Sequence, residues 1–242
     1  MNAVFTIFRR EVAAFFDSLI AYIVYAVFLT GVGLFFWVFA GNVLSAKTAE
    51  METLFAMGPW FFLFLIPAIT MRTFAEEFKT GTIEFLSTKP VTDLQILLGK
   101  YLAAVFLVLV SLLPTLLSYW SLQDLSQGKV DSGATWGAYL GLFGIGCVFS
   151  AIGVFSSTLS SNQIVAFVLG VFLCFTLYTV FDFVAELNFW GTWRDTVLQL
   201  GVAEHYRSIS RGVVDTRDVV YYLSVITLFL AMGRYRLQRI KS

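Results

Sequence analysis

Residues 136–159 read WGAYLGLFGIGCVFSAIGVFSSTL and contain no Asp, Glu, Lys, Arg or His. As a helix rising about 1.5 Å per residue, this stretch is about 36 Å long. The hydrocarbon layer of a bilayer is about 30 Å thick. No water reaches the backbone there, so a crossing segment must close its own hydrogen bonds, as a helix does. The stretch therefore reads as membrane-spanning, and the fold depends on how many companions it has.

Working outward, similar apolar runs lie at 19–39, 55–71 and 94–119 before it, and at 163–183 and 219–235 after it. The strongly apolar part of the last ends at Gly233, so that span is short. Pro59 and Pro67 in the second run, and Pro114 near the far end of the third, remove backbone donors and bend or break helices. A tight turn at Ser160-Ser161-Asn162 separates the fourth and fifth runs. Across the chain 58% of residues are apolar and 13% charged, with mean hydropathy +0.81. Soluble domains carry about 25% charged residues. The predicted fold class is all-α: one polytopic domain over 1–242 with six transmembrane helices and no internal repeat.

Residues 1–18 are apolar at helical spacing from Val4 to Leu19, with Arg9, Arg10, Glu11 and Asp17 mostly off that stripe. This predicts an amphipathic helix lying at the interface. The segment lacks the h-region and cleavage site of a signal peptide. Orientation follows from the basic residues. Arg9, Arg10, Arg72, Lys79, Lys89, Lys100 and the basic tail from Arg234 share one side, which predicts cytoplasmic N- and C-termini. Of the six basic residues opposite, four lie in the long 184–218 loop, which weighs less. Trp60, Trp120, Trp136, Tyr221 and Tyr222 suit the interfacial belt. Arg72, ending the second span, reads as a headgroup-seeking side chain, and Asp182, ending the fifth, as an interfacial acid.

Several functions are excluded. Basic and acidic residues balance at 16 each, which argues against nucleic-acid binding. Cys147 and Cys174 sit in apolar runs and read as small buried hydrophobes. His205, the single histidine, reads as a solvated loop residue with no partners for a metal site. Adjacent Glu76 and Glu77 point about 100° apart on a helix, which is poor geometry for shared acid–base or metal chemistry. A phosphate-cradling loop needs Gly-Lys followed by Ser or Thr. Gly99-Lys100 is followed by Tyr101, and Gly128-Lys129 by Val130. No metal, cofactor or catalytic site is expected in this chain.

The stretch between the second and third spans, 72–93, is the most informative polar segment. It predicts a short helix broken at Thr80-Gly81 and a further turn that stops before Pro90. Phe74, Phe78, Phe85 and Leu86 form an apolar face, and the charges are expected to face the cytoplasm. This loop resembles that of ABC-2 type permeases: the acidic pair Glu76-Glu77, then Thr80-Gly81-Thr82-Ile83-Glu84, Pro90 and Gly99-Lys100. Within that family the chain is similar to the permease subunit of the gliding-motility-associated ABC transporter of Bacteroidetes. The likeness lies at Arg9-Arg10-Glu11, 15–22, 63–72, His205-Tyr206, Ser208, Ser210 and 211–218.

The resemblance implies an ABC-2 type exporter fold in a bacterial inner membrane. It implies two ABC ATPase subunits, which carry ATP and Mg²⁺, and a second permease chain, either identical or a sister. A periplasmic-facing auxiliary subunit is a further implied partner. By this likeness Phe74, Glu76, Glu77, Phe78, Lys79, Thr80, Gly81, Thr82, Glu84 and Pro90 form the coupling segment that meets the ATPase. Phe61, Phe62, Phe64, Phe172, Phe175 and Tyr178 border the translocation path, and residues 187–200 partly re-enter the membrane. Two alternatives stand beside this: a scaffold or mechanotransmitter for accessory proteins, and a motor-independent secondary transporter. The latter calls for mid-membrane ionisable groups. The spans at 19–39 and 136–159 have none.

Overall fold

The computed structural model describes residues 3–39, 43, 50–82, 91–187, 193–212 and 215–241. Among them every regular element is helical. The order is α1 (Ala3–Phe16), α2 (Leu19–Trp37), α3 (Glu52–Thr70), α4 (Arg72–Thr80), α5 (Asp93–Leu112), α6 (Leu116–Leu125), α7 (Ser132–Ser157), α8 (Gln163–Phe175), α9 (Phe181–Glu186), α10 (Arg194–Leu198), α11 (Val202–Ser210) and α12 (Thr216–Lys241). Six stretches are long and apolar enough to cross a membrane: Leu19–Trp37, Glu52–Thr80, Asp93–Leu125, Ser132–Ser157, Gln163–Glu186 and Thr216–Arg239. The protein is an all-α polytopic membrane protein.

Polar residues just ahead of the apolar runs start several of these helices. Ser18 Oγ accepts from Ile20 N, Asp131 Oδ1 from Ala134 N, and Asn162 Oδ1 from Ile164 N. Thr92 and Gln95 form a reciprocal capping box at the head of α5. Each cap satisfies a backbone N–H that lacks an intrahelical partner.

α7 is the central helix. It packs against α3, α5, α8, α11 and α12, and 78% of an 18-residue apolar window of it is buried. Helices in lipid associate by close packing, for which small residues are needed. A Cβ at Gly144 would stand 2.6 Å from the Tyr222 ring of α12, and one at Gly146 would stand 2.5 Å from Val108 of α5. The glycines in this run therefore make room for neighbouring side chains on more than one face.

The structure departs from, or adds to, the sequence pattern at several places. Pro59 and Pro67 lie inside α3 without breaking it, and Pro114 gives only a 3-10 turn, Leu113–Thr115, between α5 and α6. Met71 keeps helical backbone angles (φ −55°, ψ −29°), so α4 follows α3 directly. A helix need not stop where its apolar run does, and α12 likewise runs past Gly233 into the basic tail. The fifth span widens into a π-turn at Thr176–Val180. The 184–218 region contains α10 and α11; Val202, Tyr206 and Ile209 of α11 are buried against the bundle, and Tyr206 Oη donates to Phe55 O at 2.7 Å. Trp193 is exposed, and Asn188 and Trp190 lie outside the described residues, as does the 188–192 part of the expected re-entrant segment.

Candidate functional site

α1, α4 and the head of α5 meet at one end of the bundle. Gly99 makes the meeting close: a Cβ there would stand 2.8 Å from Ile7 Cβ and 3.0 Å from Val4 O of α1. The next residue, Lys100, is 2% exposed. Its ammonium donates to Glu11 Oε1 at 3.1 Å, Glu77 Oε1 at 3.0 Å and Thr73 O at 2.5 Å, which uses its three donors. It also sits 4.9 Å from the centre of the Phe74 ring. Arg10 Nη2 donates to the same two carboxylate oxygens, at 2.8 Å to Glu11 and 2.9 Å to Glu77. Burial works against the Arg10 charge, but its bonds to Glu11 and Glu77 outweigh that and raise its pKa above the ordinary value.

These contacts fix how α4 is presented. Phe74 is fully buried and stacks on half-buried Phe78. Glu76, Lys79, Thr80, Gly81 and Thr82 are exposed. Glu77 departs from the expectation that the charges of this segment face outward: its carboxylate turns inward to a buried lysine. Gly81 ends the helix at φ +70°, a left-handed conformation that glycine adopts without strain. The Thr80 hydroxyl donates to Glu76 O and lies 3.0 Å from the Thr82 hydroxyl. Glu84 and Pro90, with Phe85 and Leu86, lie outside the described residues.

A family model described as ABC-2 family transporter protein matches residues 19–233. The chain belongs to that family. It is a permease component, a transmembrane part of a transporter. A comparison with curated proteins finds no match. The family match begins after α1, so the Arg10 and Glu11 half of the ion cluster precedes it.

The aromatic residues singled out for a path do not form one set in the permease. Phe62 is fully buried against Phe28, and the Phe61 ring packs on Phe28, Phe35 and Gly31 of α2. Phe64, Phe172 and Phe175 are exposed on α3 and α8. Tyr178 stands edge-on to Trp60 and Phe149 within the π-turn. Aromatics occur all around these apolar helices, so spacing could not sort packing residues from exposed ones.

At the opposite end the permease has a second polar cluster, and here the sequence reading of His205 is corrected. Its side chain is 11% exposed. Nδ1 lies 2.7 Å from Asp218 Oδ1, Nε2 lies 2.9 Å from Gln199 O, and the ring stacks on Tyr221 at 3.9 Å. Asp182, at the end of the fifth span, pairs with Arg207, which also holds Glu204. Burial lowers the Arg207 pKa, but Asp182 and Glu204 more than reverse this. Nothing in sequence spacing links 182, 204–207 and 218; the packing of α11 brings them together. Among the described residues no three His, Cys, Asp or Glu side chains converge to hold a metal.

Proposed function

We propose that this permease is the membrane half of an ATP-driven exporter. A separate ABC ATPase, two copies per transporter, would carry ATP and Mg²⁺ and dock on the exposed side of α4. A second permease chain, identical or a sister, completes the path. The observation that carries this reading is the two-sidedness of α4. Glu76, Lys79, Thr80, Gly81 and Thr82 are open to a partner, while Phe74 and Glu77 lock the same helix to α5 and α1. A push on the open side therefore moves α1, α4 and the head of α5 together. Glu84 and Pro90 belong to the proposed docking segment beyond the described residues.

Charge placement favours a motor over ion-coupled transport. The buried charges among the described residues are Lys100, in the first third of Asp93–Leu125, and Asp218, in the first turn of α12. Ion coupling calls for ionisable groups near the membrane centre. In this proposal the α4 end faces the cytoplasm of a bacterial inner membrane, following the excess of basic residues there. Phe64, Phe172, Phe175 and Tyr178 border the path, while Phe61 and Phe62 act in packing. The likeness to the gliding-motility branch belongs to the same proposal. Two stretches that carry it, around Arg10-Glu11 and from His205 to Asp218, supply side chains to both polar clusters. The end near α11 is where an auxiliary subunit would sit.

Co-purification tests the reading. The permease is expected to bring down an ABC ATPase, and changes at Gly81 or Glu84 should lower ATP turnover and transport together. The proposal fails if no ABC ATPase binds and those changes alter neither activity.

A further inference from the structure

We propose that the cavity between α1, α2, α3–α4 and α5 holds the headgroup of a zwitterionic phospholipid, one bearing a phosphate and a primary ammonium. The inference rests on the membrane fold and is independent of ATPase docking.

The cavity has a volume of about 290 Å³. That is near the lower end of ligand-pocket sizes, about 300 Å³, and suits a headgroup better than a whole lipid. Its charged lining is Arg10, Arg72 and Lys100 with Glu11, Glu76 and Glu77, three charges of each sign. Its apolar lining includes Phe15, Ile20, Ile69 and Leu107. Leu107 lies seven residues beyond Lys100 on α5, about 10 Å deeper in the bundle. The site is therefore polar at the headgroup level and apolar towards the hydrocarbon.

Two buried polar atoms of the lining have no hydrogen-bond partner: Arg72 Nε and Glu77 Oε2. Arg72 donates through Nη1 to Ser18 Oγ at 2.8 Å. Among the described residues no carboxylate pairs with it. A guanidinium without an anion and a carboxylate oxygen without a donor are both costly when withdrawn from water.

A lone anion would answer Arg72 but meet three glutamates, and a lone cation would answer Glu77 but meet Arg10, Arg72 and Lys100. A zwitterion brings both charges into a lining of zero net charge. The phosphate accepts from the Arg72 guanidinium in a charge-assisted bond, and the Glu77 carboxylate turns its unpaired Oε2 to accept from the ammonium. The apolar floor and the position at the ends of two spans select a membrane lipid over a soluble zwitterion. Bound there, the headgroup joins Ser18, at the head of α2, to Arg72 and Glu77 of α4.

The test is native mass spectrometry of the whole permease after exchange into equal amounts of phosphatidylethanolamine, phosphatidylcholine and phosphatidylglycerol. Phosphatidylcholine has no N–H to donate, and phosphatidylglycerol has no cation. Phosphatidylethanolamine should be retained about tenfold over each, the value of one charge-assisted hydrogen bond. Arg72→Gln should lower that retention about tenfold. Soluble glycerophosphoethanolamine should not displace the lipid at equal concentration. Equal retention of the three lipids would overturn the proposal. So would a folded Arg72→Gln variant that keeps phosphatidylethanolamine, or displacement by the soluble headgroup. If Arg72→Gln does not fold, the lipid comparison on the unaltered chain decides.

Discussion

Lys100 is held in a site where its side chain is 1% exposed, and its two carboxylate partners, Glu11 and Glu77, are 20% and 14% exposed. This asymmetry predicts an unequal response to breaking the cluster from either side. In Glu11→Gln/Glu77→Gln the ammonium stays buried with neutral acceptors, Thr73 O among them, and no anion beside it. Leaving one charge of a buried pair uncompensated costs about 3–5 kcal/mol. For a chain of 242 residues, at about 2–4 °C per kcal/mol, the unfolding midpoint should fall by about 6–20 °C. In Lys100→Met the carboxylates keep Arg10 and their partial exposure, so the loss is about 1–2 kcal/mol. The triple variant Glu11→Gln/Glu77→Gln/Lys100→Met, with no charge left to strand, should recover most of the loss. Thermal unfolding of the purified permease in one fixed detergent measures all four proteins. The reasoning is refuted if Lys100→Met is the most damaging, or if the triple variant is no more stable than the double.

Two further predictions follow from close packing. Gly99→Leu should lift α1 from α5, since the Cβ position is already 2.8 Å from Ile7; overpacking of this kind costs about 1–3 kcal/mol, read as a lower unfolding midpoint. Adding Lys100→Met to it should cost less than it does in the unaltered chain, because the cluster is already open. At the other end, His205→Ala removes a ring stack and strands Asp218, whose Oδ2 already has no partner; a loss of about 2 kcal/mol is expected, partly recovered by Asp218→Ala in the same thermal assay.

The spans were legible in the sequence because hydropathy is a property of a run, and the bilayer imposes both its length and its helical state. Lys100 was not. A lysine near the head of a span reads as interfacial, and it becomes buried only because Gly99 admits α1 beside it. The same long-range approach turns Glu77 inward. In the sequence His205 reads as solvated because its partners, Gln199, Asp218 and Tyr221, are assembled only by the packing of α10, α11 and α12. Phe61 and Phe62 show the limit of periodicity in a span that is apolar on all sides: it cannot say which face meets α2.

The central claim is that an ATPase docks on the open side of α4. A photo-cross-linking amino acid at Lys79, which is exposed there, addresses this claim most directly in cells. Trp120, exposed on α6 at the opposite end, is the control position. The account predicts a covalent product between the Lys79 position and an ABC ATPase, and none from the Trp120 position. It is contradicted if the Lys79 position gives no ATPase product, or if the two positions give the same one.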